Sequence, residues 1–447
     1  MKVFLRLWAG QSISLIGSAL TAFALSVWVY QRTGSVTQLG LVYLAVFLPG
    51  ILVAPVTGAL VDRVDRRTVL FVTSSTGLLC ALALAGLYQA GVLQPWHIYL
   101  TTAVTSILTA VQTPAVGASV PLLVGRENLG RANGMVMLAQ AVAQILGPLA
   151  GGFLLATAGL PGLLLVDCAS FAVALLCLLT VRLPRPAPAA TDVTTDPAPP
   201  AGAGSSLLAE TAASWRYVAA KPALVRLLAF YAVLNFAVGF VDVLINPVVL
   251  DFAPAPALGT VLAVGGLGMV LGSVLIATWG GFRRRIHGVL LFSLILGLAL
   301  CGGALRPNLA LVGASAFVFL FCSAIINASN RSIWQQKVEP ALQGRVISLE
   351  NMIATAPLPI AYVLAGPIAD HLLRPLMSSG NGLAAAAGAL VGAGRPMALL
   401  LFAAGLLIVL AAVVGYLDPR LTHIDTDLPD ALPERPVSRP EPAPATP

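Results

Sequence analysis

Charge is scarce in this chain. Only 10% of its 447 residues are Asp, Glu, Lys or Arg, where a water-soluble domain carries about 25%. With 58% of residues hydrophobic, so little charge would leave a soluble fold prone to aggregation. Histidine and cysteine are scarce too. His97, His287, His371 and His423 all fall at the ends of apolar segments or in the C-terminal stretch. Cys80, Cys168, Cys177, Cys301 and Cys322 lie inside apolar segments, at spacings that suit neither a metal nor a disulfide framework. The chain has no H-E-x-x-H, no G-x-S-x-G and no G-K-[ST]. A metalloprotease, a serine hydrolase and an ATP-driven pump would each lack their chemical groups. No enzyme, no metal and no cofactor is expected.

Apolar length is what the sequence has. Segments such as Leu5 to Tyr30, Leu163 to Val181 and Met397 to Leu417 are long enough to cross a hydrocarbon layer of ~30 Å as helices. Lipid offers a backbone no hydrogen bonds, so such segments are helices or barrel strands. The alternation of a barrel strand is missing. The expectation is an all-α membrane protein with twelve spans, near 5–30, 36–61, 68–90, 97–121, 132–159, 162–181, 226–250, 257–279, 287–305, 308–330, 345–371 and 396–417. The first span is too long for a cleavable signal and is followed by others.

The net charge of +7 does not point to nucleic acid, because the basic residues sit in alternate loops. Roughly 21 of the 25 fall on one side, leaving Arg32, Arg306, Arg374 and Arg395 on the other. The basic side is expected to be the cytoplasm, with both termini in it and the chain in a cell membrane. A stretch rich in Pro, Ala, Thr and Gly, Pro184 to Ser206, divides the spans six and six. The expected units are a six-helix bundle over 1–183, a cytoplasmic linker over 184–222, a second bundle over 223–417 and a disordered cytoplasmic tail over 418–447. The Ala/Gly run 381–394 is too short to span and reads as an external loop with a helical turn.

The halves echo each other. Thr113, Gly130-Arg131 and Leu149-Ala150-Gly151 match Asn327, Gly344-Arg345 and Leu364-Ala365-Gly366, about 214 residues on. Two such bundles related by an axis along the membrane normal make one of the transporter architectures, with the substrate site between them.

Two motifs carry more than packing. After the second span comes Gly58-Ala-Leu-Val-Asp62-Arg63-Val64-Asp65-Arg66-Arg67. Asp62 ends a helix where its carboxylate can face a neighbouring helix N-terminus, and the arginines can bind lipid headgroups. The matching stretch of the second half, Gly280 to Arg285, keeps glycine and positive charge but has no acidic residue. The fifth span holds Gly147-Pro148-Leu-Ala-Gly151-Gly152. Gly147 and Gly151 make a small-xxx-small face, and Pro148 removes a backbone bond.

The first motif resembles the loop signature of the major facilitator superfamily, G-x-x-x-D-R-x-[GD]-R-[RK]. The second resembles the G-P-x-x-G-G of its antiporters, with Ala143 in place of a leading glycine. Arg6-Leu-Trp8-Ala-Gly10-Gln11, Asp167-Cys-Ala-Ser170-Phe171 and Asn330-Arg331 are similar to the branch of enterobactin exporters and macrolide efflux proteins. The resemblance covers Met1 to Leu417 apart from the linker. It implies a monomeric carrier that exchanges a small amphipathic molecule, probed from both sides by alternating access, against protons. It also implies that Gly58, Asp62, Arg63, Arg66 and Arg67 form a conformational switch, with Asp62 facing Gly344 and Arg345.

Ionisable groups inside the spans are the coupling candidates, since charge in lipid is costly and turns toward the protein interior. Asp242 is deepest. Asn235, Gly239, Asp242 and Asn246 share one helix face, which reads as a cavity stripe; a structural hydrogen-bond hub fits Asp242 equally. Glu350 has Arg331 as an expected ion-pair partner, and Asp167 reads as a capping or packing residue. Asp251 and Asp370, at span ends, are expected in solvent. Gln11, Ser14, Ser18 and Thr21 share a face of the first span and form a cavity wall or a packing surface. Tyr43 and Phe236 could touch an apolar ligand, while Trp28 and Tyr30 suit the membrane interface. The first span has no acid and the fourth no arginine, so no complete proton relay is readable. A proton-coupled importer and a non-transporting receptor or lipid scramblase are the other readings; the duplicated halves and the G-P-x-x-G-G helix favour an exporter.

Overall fold

The computed structural model describes residues 2–124, 128–180, 207–282, 284–339, 342–378, 382–392, 394–428 and 431, with backbone alone at some helical positions, among them 55, 56 and 58–63. Among the described residues all regular structure is helical. The first half holds α1 (Lys2–Thr33), α2 (Val36–Arg63), α3 (Arg66–Gln89), α4 (Pro95–Leu123) and α5 (Leu129–Thr180). A short helix α6 (Leu207–Ala219) precedes the second half. There follow α7 (Pro222–Leu250), α8 (Ala255–Trp279), α9 (Arg285–Leu305), α10 (Leu309–Lys337), α11 (Gln343–Thr355) and α12 (Pro357–Pro367). A π-helical stretch (Ile368–Leu373) leads to α13 (Arg374–Ser378), α14 (Gly382–Val391), α15 (Pro396–Leu417), α16 (Pro419–Thr422) and α17 (Ile424–Asp427).

Among the described residues eleven helical stretches are long and apolar enough to cross a membrane. One of them, α5, has 52 residues and is two helices joined at Gly159, whose φ of 66° and ψ of −176° are not helical. Glycine bears that positive φ without strain, and Pro161 starts the second limb. Counted as two, α5 brings the spans to twelve. Residues 343–378 form one span in pieces: α11 and α12 meet at Ala356 beside Pro357, and the π stretch follows Pro367. Each proline lacks the N–H that would continue the ladder.

The spans bury one stripe and show lipid the rest. In α15, Leu401, Ala404, Ile408 and Ala412 are buried at steps of three and four, while Leu406, Leu410, Val413 and Leu417 point outward. Helix packing repeats between halves: α2 packs on α4 and α3 on both α4 and α5, as α8 packs on α10 and α9 on both α10 and α15. Across the halves α5 meets α8, and α12 meets α2. These are the pairs that a two-fold exchange of the halves would interchange, as the echoed sequences require.

One end of the bundle carries Arg66, Arg67, Arg131, Arg284, Arg285, Lys337 and Arg345; the other, here the far end, carries Arg32, Arg306, Arg374 and Arg395. Toward the far end seven hydrogen bonds join the halves. An apolar seam joins them there too, with Phe23 and Val27 of α1 against Val249 of α7 and Ala255 and Leu258 of α8. Lipid is as apolar as these side chains, so close packing holds the seam rather than escape from water.

Two expected regions differ. The linker 184–206 lies outside the described residues, but 207–219 is helical, and Val218 is buried in the core of the second half. The tail expected to be disordered from 418 is ordered as far as 428. Leu421 and Ile424 are buried at 2% and 0% exposure, and Lys337 Nζ donates to the carbonyls of Asp425 and Leu428. Two isolated apolar residues in a polar stretch, four and seven positions beyond Leu417, escape a reading based on long hydrophobic runs. Residues 432–447 lie outside the described residues.

Candidate functional site

The seam narrows on a polar cluster drawn from four helices. Asp242 lies on α7, eight residues before its far-end terminus, and is half-buried. Tyr362 of α12 donates from Oη to Asp242 Oδ2 at 3.0 Å. One turn further along α7, Asn246 donates from Nδ2 to Ser26 Oγ of α1 at 3.1 Å and to Tyr43 Oη of α2 at 3.4 Å. Tyr43 and Phe47 of α2 lie against the Tyr362 ring, with centroids 5.8 and 5.4 Å away. The cluster therefore links a carboxylate in the second half to hydroxyls and aromatic faces in the first. Among the described residues no basic side chain forms an ion pair with Asp242, and its partner Tyr362 can donate a hydrogen bond but cannot neutralise a charge.

Backbone contact makes this approach possible. Gly40 of α2 lies against the Tyr362 carbonyl, which a Cβ there would meet at 2.4 Å. Gly239 lies against α12, with Ala361 Cβ at 2.6 Å from such an added atom. The polar face Asn235, Gly239, Asp242 and Asn246 thus turns toward α12 and, at its far-end part, toward α1 and α2. Asn235 itself bonds back to the Tyr231 carbonyl at 3.1 Å.

The α5 motif sits on the same seam. Gly147 packs on Ala19 and Gly151 on Phe23, both of α1. Gly152 faces the other half: an added Cβ would stand 2.8 Å from the Ala255 carbonyl of α8. Gly259 of α8 returns the contact, 2.3 Å from the Pro148 carbonyl by the same measure. Two helices from opposite halves thus touch backbone to backbone, at residues whose side chains would part them.

The face of α1 that carries Gln11, Ser14, Ser18 and Thr21 packs inside the first half. Gln112 Nε2 of α4 donates to Gln11 Oε1 at 2.5 Å, and Ser18 Oγ donates to Asp167 Oδ1 at 3.4 Å. Ser14 and Thr21 are buried. Asp167, on the second limb of α5, is buried at 5% exposure and also takes a 3.5 Å contact from Ser170 Oγ. It stands inside the first half, away from the Asp242 cluster.

Glu350 is buried, and its direct partner is Asn330; the expected Arg331 acts on it through its charge without a hydrogen bond. Asn330 Nδ2 donates to Glu350 Oε1 at 2.9 Å, and Trp334 Nε1 donates to Asn330 Oδ1 at 3.1 Å. Successive residues of a helix point ~100° apart, so with Asn330 turned inward Arg331 is carried to the exposed face. Asp370, expected in solvent, is also held: its side chain is only 9% exposed, and it bridges to the start of α2. Asp251 is exposed as expected, yet accepts from Tyr30 Oη across the seam at 3.0 Å.

The side chains of Gly58, Asp62 and Arg63 lie outside the described residues, as does Arg283. Asp65 caps α3, its Oδ1 accepting from Arg67 N at 3.0 Å, and Arg67 Nη2 reaches the Leu179 carbonyl at 3.3 Å. Sequence reading missed Tyr362, whose hydroxyl deep within a span was the available signal, since a buried phenol needs a partner. Among the described residues no three His, Cys, Asp or Glu side chains gather as metal ligands.

Comparison with known proteins agrees with this architecture. The chain is 26% identical over 382 residues to macrolide efflux protein A of Streptococcus pyogenes, covering 83% of this chain and 90% of that protein. It is 32% identical over 190 residues to the enterobactin exporter EntS of Salmonella typhi, covering 41% and 44%. The fold matches the crystal structure of a bacterial homolog to the human lysosomal transporter Spinster, inward-facing and unoccupied, with a TM-score of 0.65 at 17% identity over 95% of this chain and 96% of that one. The family model described as Major Facilitator Superfamily matches residues 7–361. With the duplicated six-span halves and the glycine seam between them, that match makes this multi-pass membrane protein a member of the Major Facilitator Superfamily.

Proposed function

We propose that the protein exports small amphipathic molecules by alternating access, in exchange for protons, with Asp242 as the proton-binding group. The observation that carries this reading is Asp242, a carboxylate with no basic ion-pair partner among the described residues, at a seam that must open and close. Asp242 belongs to one half, and Tyr43 and Phe47, which surround its partner Tyr362, belong to the other. Rocking the halves changes the surroundings of that carboxylate, so protonation and conformation become linked. The excess of Lys and Arg at the basic end supports a cytoplasmic location for that end and for both termini. On that topology the far end, which is shut in this structure, is the outer one.

The efflux relatives support the direction of transport, and the Pro148-to-Gly152 seam supports it as well. The apolar and aromatic surroundings of Asp242 suit an amphipathic substrate that the relatives exemplify as drug, siderophore or other secreted metabolite. One proton exchanged per cycle would contribute ~2.3 kcal/mol per 100 mV, enough for roughly a fifty-fold gradient. The test is substrate uptake into inverted vesicles under an imposed pH gradient. Asp242→Asn should abolish gradient-driven uptake while leaving exchange down a substrate gradient in place. Undiminished gradient-driven uptake would remove Asp242 as the coupling group.

A further inference from the structure

Helix α2 begins at the seam, and its capping is divided between the halves. Ser35 is a local cap, its Oγ accepting from Gln38 N at 3.3 Å. The amide of Thr37 instead donates to Asp370 Oδ2 at 3.0 Å, and Asp370 belongs to the other half. The same oxygen accepts from Ser35 Oγ at 2.9 Å and from Thr37 Oγ1 at 3.0 Å. Arg374 Nη2 stands 3.4 Å from Asp370 Oδ1 and donates to the Gly34 carbonyl at 3.3 Å. Beside them Gly366 touches α2 so closely that an added Cβ would meet Thr37 Cα at 2.2 Å.

Two comparable caps show what is unusual here. In α3 the second amide, Arg67 N, bonds to Asp65 of its own loop. In α9 the second amide, Ile286 N, bonds at 3.2 Å to Asp425 of the tail, within the same half. In α2 the second amide is Thr37 N, and its carboxylate arrives from across the seam. Asp370 also lies on the π-helical stretch Ile368–Leu373. Such stretches have poorer backbone bonding and recur at functional positions.

We propose that Asp370 is the latch of the far end, joined to the start of α2 when that end is shut and released when the halves rock apart. This rests on the alternating-access reading. A carboxylate at a helix N-terminus gains from charge-assisted bonds and from the helix dipole. Opening hands those groups to water, so the net cost is a fraction of the bonds' gross strength. Ser35 continues to cap α2 after release, so the helix does not unravel. The latch can therefore close and open repeatedly, whereas Asp65 and Asp425 travel with the helices they cap.

The test is the distance across the far end in the full-length protein, with its native cysteines replaced and spin labels at Gln31 and Arg306, both exposed. Pulsed paramagnetic resonance reads the populations. Asp370→Ala should raise the ratio of open to shut far end by about tenfold. Asp370→Asn, which keeps an acceptor but loses the charge, should raise it less. Asp425→Ala should leave the ratio at its original value. If Asp370→Ala does not fold, Asp370→Asn decides. Unchanged distances in the folded variants would overturn the latch. Because no substrate is needed, the outcome is separable from the transport reading: opening without export would sink the exporter and keep the latch.

Discussion

One methyl group at Gly366 should be enough to hold the far end apart. Its Cβ would meet backbone, Thr37 Cα, and no side-chain rotation relieves that. Overpacking of this kind costs about 1–3 kcal/mol, so Gly366→Ala should lower transport roughly tenfold and lengthen the distance between labels at 31 and 306. Gly302→Ala and Gly313→Ala, where an added Cβ meets nothing within 4 Å, are the controls expected to transport normally. At Glu350 the chemistry separates charge from hydrogen bonding. Glu350→Gln retains an acceptor for Asn330 Nδ2, while Glu350→Ala leaves that buried amide unpaired, a loss of about 1–3 kcal/mol. The alanine variant should therefore melt lower than the glutamine variant in thermal unfolding. If Gln is as destabilising as Ala, the carboxylate has a role beyond the Asn330 bond.

Asp425 supplies α9 with the acidic cap that the loop Gly280 to Arg285 lacks, at the same amide that Asp65 serves in α3. Asp425→Ala should lower stability by about 0.5–2 kcal/mol, the range for a lost helix cap. Arg284 is the N-cap residue of α9, as Asp65 is of α3. Arg284→Asp in the Asp425→Ala background should restore the melting temperature; no recovery would show that the tail acts by other contacts. The tail is also tied down by Asp418, which bonds to Arg226. That guanidinium holds the Asp418 carboxyl below the usual carboxylate range. A depressed folded pKa means that the contact stabilises above the unfolded value and is lost as pH falls through the folded one. Protection factors for amide exchange over 419–428, with the intrinsic pH dependence of exchange divided out, should thus hold at neutral pH and fall only below about pH 4.

The long spans were legible because twenty apolar residues leave few alternatives in lipid, and α5 shows the limit. Its hydropathy marked two crossings, yet only the backbone at Gly159 shows how little chain joins them. The seam was half legible: Gly147, Gly151 and Gly152 announced close packing, but not that Gly152 would face α8 while its neighbour Gly151 faces α1. Asp370 and Tyr362 were not legible at all as site residues. The partners of Asp370 come from the other half, and Tyr362 meets Asp242 on another helix of its own half; helix periodicity carries no record of either pairing. Asn330 rather than Arg331 meets Glu350 for a similar reason, since one residue of rotation decided between an amide and a charge.

At the scale of the whole molecule, the halves are joined at one end by glycine contacts, an apolar seam and a few polar bridges. Cysteines placed at positions 63 and 306 should react with impermeant reagents from opposite sides of intact cells; labelling from the same side would overturn the proposed topology. The far-end bridge has an electrical consequence. Asp370 and Arg374 are neighbours on one helical stretch, 3.4 Å apart, so they move as a dipole of no net charge. A unit charge crossing the full field exchanges ~2.3 kcal/mol per 100 mV, whereas this pair exchanges almost none. Voltage would then leave the opening of that end nearly untouched, and any dependence of turnover on membrane potential would trace to charge moved elsewhere, such as the proton proposed for Asp242 or a charged substrate.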